Sequence, residues 1–175
     1  RQTIASPDKN ILVTCTIGQD ESTWNVSYRE KPILENSKLG LVREDEDFSV
    51  NLRVVKVSDP ETITDRYTML NAKKKNILYT ATQRIIETIT ASGKKMNIIF
   101  RVSDDGVAFQ YEFPEKSNDV KKIISEETTF HFFEGTRARL QPKAEAQTGF
   151  EHTNPSYEAH YAMDIPTGTP SPTKN

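Results

Sequence analysis

The chain has 175 residues, with 23 basic and 25 acidic side chains and a formal net charge of −2. Because charges of both signs are spread along the sequence, the composition argues against a surface for nucleic acid or for an anionic membrane. No apolar run approaches the roughly 18 residues that a membrane-spanning helix needs. A single cysteine, Cys15, excludes an intrachain disulfide, and the length suits one domain with one hydrophobic core.

Short runs of β-branched and aromatic residues, separated by Gly, Pro, Asn and Asp, predict an all-β chain. The longest run, 77–91, also fits one face of a helix, but the threonines at 80, 82, 88 and 90 and the isoleucines at 85, 86 and 89 favour a strand. So many short strands are typical of an antiparallel β-sandwich of two packed sheets. Strands are predicted near residues 12–17, 23–28, 33–34, 39–42, 52–57, 67–70, 78–91, 96–102, 107–113 and 128–133.

Residues 100–114 contain the clearest local signal, a β-hairpin with an acidic turn. Val107, Phe109, Tyr111 and Phe113 alternate with polar or small residues, as a strand with one buried face requires. The pair Asp105-Gly106 predicts a tight turn whose residues reach positive φ. We expect the aromatic face of this hairpin, together with Phe100, to lie in or near the core.

Two charged runs are interpreted as solvated loops rather than binding sites: the acidic run 44–47 and the lysines 73–75. From Glu134 onward the alternation ends, and five prolines between 142 and 172 predict loop rather than a central strand or long helix. We therefore expect a β-sandwich domain over 1–165, followed by a Pro/Thr-rich tail or truncated linker over 166–175.

Several motifs, in a fixed order, give the chain a family resemblance. They are Ser6-Pro7-Asp8, Tyr28-x-x-Lys31-Pro32-Ile33-Leu34, Ser37-x-Leu39-Gly40-Leu41, the 100–114 hairpin and Ser156-Tyr157-Glu158-x-x-Tyr161. Together they resemble the N-terminal domain of glycoside hydrolase family 97, a family of retaining or inverting α-glucosidases and α-galactosidases found largely in gut Bacteroidetes. The resemblance covers residues from about 6 to 165.

The resemblance implies a galactose-mutarotase-like super-sandwich that accompanies a catalytic (β/α)8 barrel in the same polypeptide. It also implies an oligosaccharide substrate and a periplasmic or secreted enzyme, whose signal peptide has been removed. Because the family domain carries further strands, this chain could be an incomplete sandwich with an open sheet edge, through which it could form a homodimer.

Candidate site residues follow from the same comparison. The glutamate at the position of Glu158 helps to bind calcium beside the sugar pocket in the family, so Glu158 is the candidate metal ligand. Calcium takes six to eight oxygen ligands, and we therefore expect no tight calcium binding by this chain alone. His152, Tyr157 and His160 flank Glu158 and are candidate substrate-binding residues. No pair of carboxylates stands out as an acid and a base, so no catalytic residue is assigned.

Three functions remain open at this point. The first is a non-catalytic accessory domain of an α-glycosidase. The second is a stand-alone carbohydrate-binding module, which would need an exposed aromatic platform. The third is a mutarotase-like sugar epimerase, which would need a His/Glu acid–base pair, with His131 as its only strand histidine.

Overall fold

The computed structural model describes residues 1–141 and 161–171, and all regular structure in these residues is β. The strands account for more than half of the residues described, which confirms the predicted fold class. No helix in the described part is long and apolar enough to cross a membrane. The strands are β1 Gln2–Ala5, β2 Ile11–Thr16, β3 Ser22–Tyr28, β4 Lys31–Leu39, β5 Leu41–Arg43, β6 Glu46–Asp47, β7 Arg53–Val57, β8 Glu61–Thr68, β9 Asn76–Ile89, β10 Lys95–Ser103, β11 Gly106–Glu112, β12 Ile123–Glu126, β13 Arg137–Leu140 and β14 Ala162–Pro166.

The chain divides into two compact units, Arg1–His131 and Phe132–Asn175. The first unit contains a four-stranded sheet in the order β1-β2-β3-β4 and a five-stranded sheet in the order β11-β10-β9-β7, in which β8 also pairs with β9. A small sheet, β12-β5-β6, completes it. The second unit contains the β13–β14 pair, and all of these pairings are antiparallel.

One hydrophobic core lies between the two large sheets of the first unit. Alternate residues of β2 and β3 enter it from one side, including Val13 and Trp24, and alternate residues of β10, including Phe100, enter from the other. All three are almost fully buried. This period of two places the apolar side chains of each strand on the inner face and makes the unit a β-sandwich. Cys15 belongs to this core, and burial raises the pKa of its thiol to about 12, which keeps the thiol uncharged and inert.

The predicted 100–114 hairpin is formed by β10 and β11, and its aromatic face packs on the core. Phe109 lies 5.3 Å from Trp24 and 5.9 Å from Phe100, measured between ring centroids. The turn differs from the prediction: Ser103 pairs with Gly106, so the central residues are Asp104 and Asp105. Neither they nor Gly106 have positive φ. The serine hydroxyl instead donates a hydrogen bond of 2.7 Å to Asp105 and stabilises the turn.

Two predictions about the later part of the chain are wrong. No regular strand covers 128–133, because this segment makes only separate hydrogen bonds to β4, such as Thr129 N to the Lys38 carbonyl at 3.1 Å. The loop predicted after Glu134 contains β13 and β14. Pro166 is compatible with this sheet because it occupies the last position of a strand in a two-stranded ribbon.

Candidate functional site

The predicted site residues Glu158, His152, Tyr157 and His160 lie outside the described residues. The structure describes the two strands that flank them. Leu140 at the end of β13 pairs with Ala162 at the start of β14, and Arg137 pairs with Pro166. The segment 142–160 therefore lies in sequence between two strands that pair with each other in antiparallel fashion.

Side-chain and backbone hydrogen bonds fix the base of this ribbon. Arg137 Nε donates to Asp164 Oδ1 at 2.9 Å, and Arg137 Nη2 donates to the Asp164 carbonyl at 2.6 Å. Thr167 N donates to the Thr136 carbonyl at 3.1 Å. Tyr161, the last residue of the Ser156–Tyr161 motif, is half-exposed and directly precedes β14. The motif is thus followed directly by β14 of the ribbon, which begins at Ala162, four residues after Glu158.

The described residues do not supply a metal site of their own. Among residues 1–141 and 161–171, no three His, Cys, Asp or Glu side chains come together in a way that could hold a metal ion.

The Ser6-Pro7-Asp8 motif forms the loop between β1 and β2. Asp8 accepts hydrogen bonds from the Ser6 hydroxyl at 2.6 Å and from Asn10 N at 2.9 Å. These two bonds lower the pKa of Asp8 to about 2. Asp8 N in turn donates to Asp104 Oδ1 at 2.9 Å, so the motif joins the first loop to the β10–β11 turn. Its polar groups are occupied by local structure and leave no acid for catalysis.

The Ser37-x-Leu39-Gly40-Leu41 motif covers the end of β4, the start of β5 and the connection between them. Gly40 has φ of 141°, and a Cβ at this position would lie 2.5 Å from Ser49 Cα. Only glycine fits both the backbone conformation and this close approach. Ser37 is fully buried and accepts a hydrogen bond of 2.8 Å from His131 N. This motif is therefore explained by packing.

Tyr111 of β11 links the β10–β11 hairpin to this β4–β5 connection. Its hydroxyl accepts a hydrogen bond from Gly40 N at 2.8 Å and lies 2.6 Å from Thr128 Oγ1. Burial raises the pKa of Tyr111 above its usual value, so the phenol stays neutral and can donate to Thr128. The sequence pattern predicts Tyr111 on the aromatic face of the hairpin. Tyr111 thus also accepts a hydrogen bond from the backbone N–H of Gly40 at the edge of the core.

A buried arginine, Arg43 at the end of β5, organises the densest group of charges in the described residues. Its side chain is 5% exposed. Arg43 Nε donates to Asp45 Oδ1 at 2.6 Å, and both terminal nitrogens lie 3.2 Å from Glu115 Oε2. The guanidinium carbon lies 4.5 Å from the ring centroid of Phe113 and 5.1 Å from that of Phe48. We call these five residues the Arg43 centre.

The hydrogen bonds of the Arg43 centre favour the charged forms of Arg43 and Asp45. Burial by itself lowers the pKa of Arg43, but the hydrogen bonds that Arg43 donates to Asp45 and Glu115 outweigh burial, and the net shift of the pKa is upward. Hydrogen bonds from Arg43 and then from Lys94, whose Nζ lies 2.9 Å from Asp45 Oδ2, hold the pKa of Asp45 well below its usual value. A carboxylate locked in its charged form cannot act as a general acid near neutral pH, so this centre is a structural clamp.

The sequence analysis missed this centre, because the acidic run 44–47 was interpreted as solvated. Glu46 accepts a hydrogen bond from Ser92 and Asp45 pairs with three basic side chains, including Lys121 at 3.8 Å. A signal was present: Arg43 is two residues from the buried Leu41, and a strand period of two places both on the inner face.

His131, the histidine on which an epimerase function would depend, lies outside any regular strand. It is exposed, and its Nδ1 lies 3.1 Å from the Glu35 carbonyl. A backbone carbonyl cannot take up or release a proton as the second member of an acid–base pair. In the described residues His131 therefore lacks the carboxylate that an acid–base pair requires.

Comparison with known proteins supports the sequence resemblance. Residues 4–174 match the family described as glycosyl-hydrolase 97 N-terminal. A probable retaining alpha-galactosidase of Streptomyces bingchenggensis (strain BCW-1) is 29% identical over 116 residues, which are 66% of this chain and 18% of that protein.

Solved structures agree in fold. A β-arabinopyranosidase crystal structure matches with a TM-score of 0.87 and 31% identity over 98% of this chain and 27% of its own. A family 97 enzyme from Pseudoalteromonas sp. strain K8, solved with panose, matches with a TM-score of 0.71 and 22% identity over 81% of this chain and 22% of its own. This chain thus spans about a quarter or less of these relatives. The chain belongs to the glycosyl-hydrolase 97 N-terminal family.

Proposed function

We propose that this chain is the non-catalytic N-terminal accessory domain of a glycoside hydrolase, and that its 142–160 segment contributes to the substrate side of the active site. In this proposal Glu158 supplies one calcium ligand, and His152, Tyr157 and His160 lie near the sugar. The catalytic (β/α)8 barrel of the same polypeptide supplies the acid, the base and the remaining ligands. Such an enzyme would act in the periplasm or outside the cell.

The observation that carries the proposal is the β13–β14 ribbon. Its strands are paired from Arg137 to Pro166, and the motif that contains Glu158 connects them. A loop supported at both ends by paired strands is a common way to present binding residues on a rigid scaffold. The Ser6-Pro7-Asp8 and Ser37-x-Leu39-Gly40-Leu41 motifs of the first unit are engaged in local hydrogen bonds and packing, which supports a different, binding role for the Glu158 motif in this proposal.

The two relatives that are about 30% identical to this chain favour galactoside-type substrates, whereas the family 97 enzyme that is 22% identical was solved with panose, an α-glucoside. One is named an alpha-galactosidase and another a β-arabinopyranosidase. These two sugars share a ring stereochemistry, since a β-L-arabinopyranoside is an α-D-galactopyranoside without its hydroxymethyl group. We expect the full-length enzyme to hydrolyse nitrophenyl α-galactoside or β-L-arabinopyranoside faster than nitrophenyl α-glucoside. The 175-residue chain should release no nitrophenol above background, and turnover by this chain would overturn the accessory-domain proposal.

The role of Glu158 is tested in the full-length enzyme by Glu158→Gln, which removes an anionic ligand but preserves size. We expect hydrolysis to fall about 10- to 100-fold and the calcium concentration for half-maximal activity to rise. Glu134→Gln, at an exposed turn residue, is the control and should leave the calcium curve unchanged. A wild-type calcium curve for Glu158→Gln would remove this residue from the site.

A stand-alone carbohydrate-binding module is the second candidate. It would be favoured if isothermal titration with galactose or maltooligosaccharides showed binding to the 175-residue chain. The accessory-domain proposal predicts no measurable heat, because the sugar pocket then needs residues of the barrel.

A further inference from the structure

The hairpin of β8 and β9 extends beyond the sheet that holds its base. β10 pairs with residues 81–89 of β9, beginning at Ala81 opposite Ser103. β8 pairs with residues 76–83, from Asn76 opposite Thr68 to Gln83 opposite Glu61. In the described part of the chain, residues 76–80 therefore have a paired strand on one edge only. We call the part from Asp65 to Tyr79 the outer ribbon.

Apolar side chains on the outer ribbon are exposed. Leu70 in the turn is 95% exposed, and Tyr67, Met69 and Leu78 are between 42% and 51% exposed. An open groove of about 360 Å³ runs along the ribbon and is lined by residues 66–68 and 76–78. Tyr67 pairs with Ile77 and Leu78 pairs with Arg66, so Tyr67 and Leu78 expose apolar surface on opposite faces of the ribbon. A two-stranded ribbon with no packing partner is only marginally stable in water, and exposed apolar surface of this kind marks an interaction site. These features predict that another surface covers the ribbon.

The charges of the ribbon restrict what that surface can be. The outer ribbon contains four basic residues, Arg66, Lys73, Lys74 and Lys75, and one acidic residue, Asp65 at its base. A complementary surface would be apolar at its centre, to accept Leu70 and Met69, and acidic at its rim. The lysines, which the sequence indicated as a plain solvated turn, would then set the orientation of docking.

The comparisons indicate where such a surface could come from. The β-arabinopyranosidase aligns with 98% of this chain, yet the aligned part is 27% of that protein. Most of the solved relative therefore lies outside the matched domain. We infer that the outer ribbon docks on an apolar, acid-rimmed surface of the polypeptide that adjoins this domain in the full-length enzyme. This inference rests on the proposed function, because it names the element that joins the accessory domain to its catalytic partner.

Photo-cross-linking in the full-length enzyme tests the inference directly. Leu70→p-benzoylphenylalanine places a reactive ring at the exposed tip of the ribbon. The same probe at Lys9, in the exposed β1–β2 loop, gives the background yield. We expect a cross-link within one polypeptide, joined to a peptide beyond residue 175, at several times the background. Cross-links to a second copy, seen as doubled mass, would overturn the inference, and so would a yield equal to background.

Hydrogen exchange provides a second readout. In the full-length enzyme, Leu70→Ser should speed exchange of the amides in 65–79 about tenfold, because it removes an apolar contact that protects the ribbon. Val120→Ser alters a side chain that is 90% exposed elsewhere and should leave these amides unchanged. Unaltered exchange in Leu70→Ser would contradict docking.

Neither experiment depends on hydrolysis, so the two proposals can fail separately. An active enzyme with background cross-linking at position 70 would overturn docking and retain the accessory function. An efficient cross-link combined with a wild-type calcium curve for Glu158→Gln would retain docking and remove Glu158 from the site.

Discussion

The family motifs of this chain fall in two regions, for which we propose different roles. In the first unit, Asp8, Gly40 and Tyr111 are engaged in hydrogen bonds or tight packing that hold loops against the sandwich. In the second unit, the motif that contains Glu158 and Tyr161 belongs to the connection between β13 and β14. A family resemblance identifies both sets of residues alike. The surroundings of Asp8, Gly40 and Tyr111 assign these residues a structural role, whereas the functional role of Glu158 is our proposal.

This difference gives a simple expectation for mutations. Changes in the first unit should lower the free energy of unfolding, whereas Glu158→Gln should alter activity with little effect on folding. Trp24 is the only tryptophan of the chain and is 2% exposed, so its fluorescence reports on the sandwich. Each prediction below uses urea unfolding of the 175-residue chain unless another measurement is named.

The largest loss is expected for Arg43→Met, which removes the cation of the Arg43 centre. The change leaves Glu115 without its buried partner and removes the cation that lies over Phe113. Breaking a buried ion pair costs roughly 3–5 kcal/mol. Because Asp45 and Glu115 are partly exposed, we expect about 3 kcal/mol in the free energy of unfolding.

Arg139→Met is the matched control for that prediction, since Arg139 is exposed on β13. A surface substitution of this kind should change stability by less than about 0.5 kcal/mol. Equal stability of Arg43→Met and the wild-type chain would show that the Arg43 centre is not a clamp, and would weaken the contrast between the two units.

Gly40→Ala should cost about 2–3 kcal/mol, from the strain of φ near 141° together with the contact of the new Cβ with Ser49. Gly93→Ala separates these two causes. Gly93 also has positive φ, at 91°, but a Cβ there would meet nothing within 4 Å. We expect about 1 kcal/mol for Gly93→Ala. If both variants lost the same stability, the close approach to Ser49 would have no measurable cost.

The sandwich could be predicted from sequence because its strands are governed by local patterns. The alternation in 107–113 identifies a strand and its inward face, and the β-branched run in 77–91 identifies a strand, in both cases without knowledge of the partner strand. Beyond these patterns the prediction weakened. Asp104 and Asp8 are 96 positions apart and meet only in the folded chain.

The errors also have physical causes. Residues 128–133 have strand-like composition, but this segment makes separate hydrogen bonds to β4 and no ladder. The acidic run 44–47 resembles a solvated loop because its partners Lys94 and Lys121 come from distant segments. The proline content after Glu134 concealed β14, in which Pro166 occupies a terminal position. In each case the hydrogen-bond or ion-pair partner could not be predicted from residues nearby in the sequence.

Tyr111→Phe should have a smaller effect than Arg43→Met and Gly40→Ala. It removes the hydroxyl that accepts from Gly40 N and contacts Thr128, but keeps the ring against Phe109. A lost buried hydrogen bond costs about 1 kcal/mol, with a further penalty for an unsatisfied donor, so we expect about 1–2 kcal/mol. In a double-mutant cycle with Thr128→Val, the two losses should be less than additive. Full additivity would contradict the hydrogen bond.

The smallest effect is expected at Asp8 and appears as a pH dependence. The pKa of Asp8 in the folded chain is lowered to about 2, from an ordinary value of 3.8. A group with a lowered folded pKa stabilises the folded state above its unfolded pKa, and this contribution disappears as the pH falls through the folded pKa. The stability difference between wild type and Asp8→Asn should therefore be constant above about pH 4 and shrink towards pH 2.

Ser6→Ala sharpens this last test, because the Ser6 hydroxyl is the largest cause of the lowered pKa. In that variant the carboxyl of Asp8, followed by carbon-detected NMR, should titrate closer to 3.8 than in the wild-type chain. The pH-dependent part of the stability difference should shrink with it. If Asp8 instead titrates near 3.8 in the wild-type chain, its hydrogen bonds do not favour the charged form. The carboxylate of the Ser6-Pro7-Asp8 motif would then not be engaged by its local hydrogen bonds. The contrast between a structural motif at this loop and the Glu158 motif would no longer hold.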